Sequence, residues 1–465
     1  MSKKEDGSQG SNLDREAIIG LARKMAENDQ PRQLQPNAPA RQRRSDKTDF
    51  TTLKMAKNIE IQRSAGAFMG LKNPYFQLHE GRAGATTMID GREYINFAAY
   101  DYLGLNAHPD VTIAANEAIN RYGTSVSASR PTSGDRPLHR KLERQIADLY
   151  GAEDALTFVS GHSTNVSTIG DLMGPGDLIL FDALSHNSIT VGTDLSGATR
   201  RRFGHNDLNG LTDILREMRH KYDRVLIVVE GLYSMDGDIP DLGRLIEIKK
   251  RFDAWLMVDE AHAVGVLGRS GRGLFEHCDA APRDVDIWMG TLSKTLAGCG
   301  GYIAGCNTLI EILRYQASGF MFSVGMSPPV AAASSRALEL MLAEPERVRR
   351  LQDNGRFFME TARDAGLDTG LAQGFAIIPV IVGDSLRTVK LANLLMEAGI
   401  FTIPVTFPAV GEKTARIRFF ITSEHSREQM EFAITTTAKL LGQLVEDNFG
   451  LMSSAIKSDG AGELE

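Results

Sequence analysis

Two strings decide how this chain is read: Val258-Asp259-Glu260-Ala261-His262, and Thr291-Leu292-Ser293-Lys294 followed by Gly298, Gly300 and Gly301. An apolar run, Trp255-Leu256-Met257-Val258, leads into the acid and the histidine. A second, Ile287-Trp288-Met289, leads into the threonine and the lysine. Both read as buried strands that end in polar residues. In an open parallel sheet, chemistry collects at the carboxyl ends of the strands. The stretch between Asp259 and Lys294 leaves room for one turn-and-helix unit.

Four more apolar runs, at 155–159, 178–181, 225–229 and 302–304, repeat the pattern with helical periodicity between them. Six such runs predict a mostly parallel sheet covered by helices on both faces, an α/β domain over 108–327. A strongly amphipathic helix is predicted at 137–150, with Pro137 in its first turn. Beyond it, 328–451 predict an α+β domain. Its helices fall at 329–342, 345–364, 387–398 and 427–445, and its strands at 376–382, 401–404 and 416–421. Residues 49–107 read as a helix at 50–70 and a small hairpin turning at Asp90-Gly91. Segments 1–48 and 452–465 read as tails. The first carries a helical pattern at 14–25 and a basic cluster of Arg41, Arg43, Arg44 and Lys47.

The formal net charge of −7 argues against nucleic acid as the main partner. Cys278, Cys299 and Cys306 stand in no metal or disulfide spacing, which points to a reducing compartment, the cytoplasm. The opening Met-Ser-Lys-Lys-Glu-Asp lacks a secretory pattern. No apolar run approaches the roughly 18 residues that span a bilayer, so no transmembrane segment is expected.

An acid at one strand end and a lysine at the next suit pyridoxal 5'-phosphate. Its aldehyde forms a Schiff base with a lysine, and its ring nitrogen stays protonated beside a carboxylate. Lys294 and Asp259 are the candidates. Taken alone, a lysine after a strand is ordinarily a solvated surface residue. Asp-Glu-Ala-His also occurs in helicases, but that reading needs a G-x-x-x-x-G-K-[ST] phosphate loop, and the chain has none. The histidines at 139, 162, 186, 205 and 262 make no zinc-site spacing.

Other strand ends supply complementary groups. Ser160-Gly161-His162-Ser163-Thr164-Asn165 opens a helix, whose backbone N–H groups suit a phosphate. Leu184-Ser185-His186-Asn187-Ser188 places a histidine that could lie on the cofactor ring, and Glu230-Gly231-Leu232-Tyr233-Ser234-Met235-Asp236-Gly237 offers the Ser234 hydroxyl for its phenolic oxygen. With Asp101-Tyr102-Leu103-Gly104-Leu105, Gly265, Gly268, Gly271-Arg272-Gly273 and Ala415-Arg416-Ile417-Arg418, this ordered set resembles the α-oxoamine synthases over about residues 70 to 445. Those enzymes include 8-amino-7-oxononanoate synthase, glycine C-acetyltransferase, 5-aminolevulinate synthase and serine palmitoyltransferase.

The resemblance implies the aspartate-aminotransferase fold (fold type I) and a homodimer with its active sites at the subunit interface. It implies a decarboxylative condensation of an amino acid with an acyl thioester, giving an α-amino ketone. It makes Lys294 the Schiff-base lysine and the base for the Cα proton. Asp259 becomes the partner of the ring nitrogen, and His186 the group stacked on the ring. His262 and Ser234 would contact the phenolic oxygen, with His262 also donating to the acyl carbonyl. Gly161, His162 and Thr291 would hold the phosphate, and Arg418 the amino-acid carboxylate. Tyr100 stands at a substrate position, and Arg130 in the 127–135 loop is expected to help choose the amino acid.

The sequence departs from every single branch of the family. Tyr100 matches the palmitoyltransferases, whereas 406–410 look like the aminolevulinate and acetyltransferase branches. Val405 stands where the oxononanoate and palmitoyl enzymes carry arginine, and His162 replaces Phe or Tyr. In Phe322-Ser323-Val324-Gly325-Met326 only Ser323 keeps a hydroxyl for the neighbouring subunit's phosphate. The extended N-terminus suggests a stand-alone relative of assembly-line synthase domains, with an acyl carrier protein in place of coenzyme A as a possible acyl carrier. Two other readings compete: transamination or retro-aldol cleavage on the same fold, and a non-catalytic partner subunit, which the presence of Lys294 opposes.

Overall fold

The structure is a computed structural model and describes residues 48–450. The helical pattern at 14–25, the basic cluster at 41–47 and the tail from 452 lie outside them. A helix, Lys54–Phe68, precedes the hairpin of β1 (Thr86–Ile89) and β2 (Arg92–Asn96). Asp90 and Gly91 turn it with φ of 50° and 73°, the left-handed pair that a two-residue hairpin loop demands.

A seven-stranded sheet forms the centre. In chain order its strands are β3 (Asp154–Phe158), β4 (Leu178–Asp182), β5 (Thr199–Phe203), β6 (Val225–Glu230), β7 (Trp255–Asp259), β8 (Ile287–Thr291) and β9 (Gly301–Gly305). In space they run β3-β9-β8-β7-β6-β4-β5. Only β9 is antiparallel to its neighbours; every other pairing is parallel. Successive side chains point to opposite faces. Val225, Ile227, Val229, Leu256 and Val258 therefore enter one core, and Leu226, Val228 and Met257 the other. Each fully buried aliphatic side chain contributes roughly 1.5–3 kcal/mol, which is why these strands read as unbroken apolar runs.

All six predicted runs are strands of this sheet, and the helix Pro137–Tyr150 has the predicted bounds. It buries Leu142, Ile146 and Leu149 and ends at a left-handed Gly151. The sequence reading does not contain β5. Its Thr-Arg-Arg-Arg-Phe exposes four of five residues and pairs only with β4. Charge on an edge strand discourages pairing with another chain, and it also hides the strand from a search for apolar runs.

The C-terminal segment departs from expectation at one place. The single strand predicted at 401–404 is two, β11 (Ile400–Phe401) and β12 (Ile403–Val405). β12 joins β10 (Ile377–Ile381) and β13 (Arg416–Phe420) in an antiparallel sheet. β11 runs parallel to β2 and completes the N-terminal sheet. The N-terminal hairpin and the C-terminal segment are thus tied together. Phe97 packs against Phe358 and Phe419 at 5.7 and 5.3 Å and stacks on His425 at 4.4 Å. This anchors 98–105, the stretch that faces the carboxyl end of the central sheet. No helix among the described residues is long and apolar enough to cross a membrane.

Candidate active site

Five strand ends, those of β3, β4, β6, β7 and β8, meet around one cavity of about 190 Å³. After β3, Ser160 caps the helix Gly161–Leu172 by accepting from the Ser163 N–H at 3.4 Å. The first-turn N–H groups of Gly161 and His162 have no partner within the helix, and both residues line the cavity. A Cβ at Gly161 would lie 2.8 Å from Thr291 Oγ1, so glycine lets the helix start this close to β8. Thr291 Oγ1 donates to Gly300 O at 2.8 Å and accepts from Ser293 N at 3.2 Å.

After β4, Asp182 Oδ1 accepts from Leu184 N at 2.8 Å and shapes the turn that delivers His186. His186 Nδ1 lies 2.7 Å from Ser188 Oγ, Asn165 donates to Ser188 Oγ at 2.9 Å, and Asn165 also donates to Asp259 Oδ2 at 2.8 Å. One chain of polar contacts therefore connects the histidine to the buried aspartate. Ala261 N donates to the other oxygen, Asp259 Oδ1, at 2.9 Å. Burial holds His186 below the usual histidine range despite the nearby Asp259 carboxylate.

Glu230 ends β6 beside Asp259 in register and accepts from His186 N at 2.6 Å. Burial, with the neighbouring Asp259 charge, pushes its carboxyl up to about 8. Lys294 follows β8. Its Nζ sits 5.9 Å from the centre of the Tyr100 ring and makes no ion pair among the described residues. Burial pulls its amine down to about 8, against the opposing pull of Asp259 and Glu230.

Arg418 reaches in from β13. It donates to Ser234 O at 2.8 Å and lies over the Phe420 ring at 4.5 Å. Its Nε is buried without a partner, and burial lowers its pKa. The loop it grips is held from two sides. Gly237, at φ 71°, packs so tightly that a Cβ would meet Ile377 O at 2.0 Å. His205 bridges Asp182 and Asp238 at 2.9 Å each, joining this loop to the turn that carries His186.

The structure therefore brings Lys294, Asp259, His186, His262, Gly161, His162 and Thr291 to one cavity. Tyr100 stands over the lysine, and Arg418 lies beside the cavity next to Phe420. Arg130 and Ser234 are placed otherwise than expected. Arg130 is not at the cavity: its guanidinium is buried in ion pairs with Glu143 at 2.9 Å and Asp135 at 2.8 Å, so its charge is already satisfied. Ser234 turns its carbonyl to Arg418 and its side chain does not line the cavity. The sequence reading missed four residues: Asn165 and Ser188, which brace Asp259 and His186; Glu230; and Tyr102, whose Oη lies 2.7 Å from His262 Nδ1. A larger groove of about 720 Å³ lies between the helices Pro109–Tyr122, Pro137–Tyr150 and Pro328–Ala343. It shares no lining residue with the strand-end cavity, and its Asp110, Arg336, Glu339 and Lys141 pair with one another.

The donor set fits pyridoxal phosphate. An unpaired amine of lowered pKa suits the aldehyde, a braced carboxylate the ring nitrogen, and a helix N-terminus with free N–H groups the phosphate. The chain matches the family described as aminotransferase class I and II over residues 92–436. It is 39% identical over 371 residues to the 8-amino-7-oxononanoate synthase of Symbiobacterium thermophilum, across 80% of this chain and 94% of that one. The solved serine palmitoyltransferase of Sphingomonas wittichii has a TM-score of 0.81 and 31% identity, covering 84% of this chain and 99% of that chain. Another solved serine palmitoyltransferase, with bound pyridoxal phosphate, gives a TM-score of 0.81 at 27% identity over 85% of this chain and 99% of that chain. The chain belongs to the α-oxoamine synthases, pyridoxal-phosphate-dependent acyltransferases of the class I and II aminotransferase fold that condense an amino acid with an acyl thioester and release carbon dioxide.

Proposed function

We propose that this enzyme joins glycine, alanine or serine to an acyl group carried on coenzyme A or on an acyl carrier protein. The observation that carries the reading is an unpaired Lys294 amine and a braced Asp259 carboxylate on one small cavity, with Arg418, whose Nε is buried and unpartnered, near enough beside it to act on the Lys294 amine.

When bound, pyridoxal phosphate supplies an electron sink for the carbanion at the amino acid's Cα. Lys294 would hold the cofactor's aldehyde, and its amine would serve as the base for the Cα proton. Its pKa of about 8 is close to that of an efficient base at working pH. Asp259 keeps the ring nitrogen protonated, and its two anchors, Asn165 and the Ala261 N–H, keep it in place. His186, which lines the cavity, would lie against the ring. Gly161 and His162 would hold the phosphate through backbone N–H groups, while Thr291, whose hydroxyl donates to Gly300 O, would shape the wall beside it. His262 would donate to the phenolic oxygen and to the acyl carbonyl. Arg418 fixes the carboxylate that leaves as carbon dioxide.

The same proposal includes a homodimer and a cytoplasmic setting. The exposed Phe322 and Val324, beside the single hydroxyl of Ser323, support a subunit contact at this loop. Three exposed free cysteines suit a reducing compartment.

The test follows carboxyl-labelled amino acid. Label must leave as carbon dioxide only when a thioester is present, with one free thiol per carbon dioxide. Release without thioester, or amino transfer to a keto acid, would replace this reading with another reaction on the same fold. Acyl-coenzyme A and acyl-carrier thioesters of equal chain length, compared directly, identify the carrier.

A further inference from the structure

Tyr102 lies in Asp101-Tyr102-Leu103-Gly104, between the N-terminal hairpin and the central sheet. Its side chain is completely buried. Its backbone is fixed at both ends, with its N–H donating to Tyr100 O at 2.8 Å and its carbonyl accepting from Ser423 N at 2.8 Å. Its Oη meets His262 Nδ1 at 2.7 Å. The imidazole is clamped as well. Phe420 lies parallel to it at 6.3 Å and Tyr100 meets it edge-on at 6.1 Å. The other ring nitrogen, Nε2, makes no hydrogen bond to any described residue, and His262 lines the strand-end cavity.

We propose that Tyr102 is a positioning residue that sets the tautomer of His262, holding the proton on Nε2 and making His262 a hydrogen-bond donor to the molecule bound in the cavity. The contact can be made in two ways. In the first, the phenol O–H donates to Nδ1, and the ring proton must then sit on Nε2. In the second, Nδ1–H donates to the phenol oxygen, and the phenol's own O–H then needs an acceptor. The described residues offer none, and a buried donor left without a partner bears its full desolvation cost. The first arrangement uses the only donor Tyr102 has and leaves nothing buried but spare lone pairs. A third possibility, imidazolium, is opposed by the surroundings: burial, together with the positive charges of Lys294 and Arg418 and the neighbouring His186, holds His262 well below the usual histidine range.

The consequence divides the chemistry between two side chains. A neutral ring with its proton on Nε2 can donate to an oxygen that gains negative charge, but it has no free lone pair with which to take a proton from the cavity. Proton removal is left to Lys294. This deepens the proposed function and rests on it for its catalytic meaning. The tautomer itself is a property of the polypeptide, so it can be measured whether or not the proposed reaction is right.

The experiment is solid-state ¹⁵N NMR at neutral pH on protein labelled in its histidine side chains. His262 is isolated as the difference between wild type and His262→Gln. The expected difference spectrum shows a protonated Nε2 and an unprotonated, hydrogen-bonded Nδ1. In Tyr102→Phe the Nδ1 resonance moves to the position of an unbonded nitrogen. In the same variant kcat falls roughly 3- to 10-fold, the loss of one net hydrogen bond, while cofactor content is unchanged. A proton on Nδ1, a doubly protonated ring, or a His262 spectrum identical in Tyr102→Phe would overturn the proposal. Should Tyr102→Phe fail to fold, the wild-type difference spectrum still decides it.

Discussion

Replacing Arg418 with glutamine removes the cation proposed to bind the amino-acid carboxylate. The guanidinium already donates through one terminal nitrogen to Ser234 O at 2.8 Å, and its Nε is buried without a partner. Nε and the second terminal nitrogen remain for the substrate. A hydrogen bond to a charged group contributes roughly 1.5–3 kcal/mol. Two at the lower end give about 3 kcal/mol, a factor on the order of 10² in affinity. Titrating the cofactor's visible absorption with the amino acid should therefore show Kd rising by about that factor in Arg418→Gln. The decarboxylated amine of the same substrate should bind both proteins alike, because it never had the contact. Arg418→Lys should recover only part of the loss, since an ammonium cannot bridge two carboxylate oxygens as a planar fork does. If Arg418→Gln keeps its chromophore and binds the amino acid within about threefold of wild type, the assignment of this arginine is wrong.

Three further outcomes follow from the site's electrostatics and packing. Capture of pyridoxal phosphate by the apoprotein needs the neutral Lys294 amine, so its rate should climb through about pH 8 and level off well before the ordinary lysine range. Asp259→Asn, by removing a charge that raises this pKa, should move the inflection lower. Burial alone would lower the pKa of His205, but its hydrogen bonds to Asp182 and Asp238 hold it at about 10. That contribution to stability is fully present below the unfolded value near 6.5 and is lost as pH rises through about 10. The Tm gap between wild type and His205→Gln should accordingly be widest in mild acid and close in strong alkali; a gap independent of pH would show that the imidazolium is not the source. Gly161→Ala places a Cβ 2.8 Å from Thr291 Oγ1, and equilibrium dialysis should show cofactor affinity falling more than global stability does.

What the sequence disclosed and what it withheld have a common physical origin. β6 and β7 are buried on both faces, so burial itself wrote their signature into the chain, and Asp259 and Lys294 stood out as polar residues just past such runs. β5 is an exposed edge whose arginines answer to solvent, and nothing apolar marks it. The division of 400–405 between two sheets depends on which strand each half meets, β2 or β13, and that is a tertiary choice. Arg130 looked like a ligand-binding residue because its partner Glu143, 13 positions away, sits on the next helix and carries no local sign of the pairing. Tyr102 touches a histidine 160 positions on. Asn165 closes the 160–165 stretch that opens a helix, but its bond to Asp259 spans 94 positions. Strand-end groups are legible one at a time, whereas the contacts that orient them exist only once the sheet has formed.

The central claim is that Lys294 is the residue to which the cofactor becomes attached. It is tested most directly by reducing the holoenzyme with borohydride and mapping the modified peptide by mass spectrometry. The account predicts loss of the visible absorption and a pyridoxyl phosphate mass on Lys294 alone, with no label in Lys294→Ala. Label on a different lysine, or a chromophore that survives in Lys294→Ala and reduces onto another residue, would contradict it.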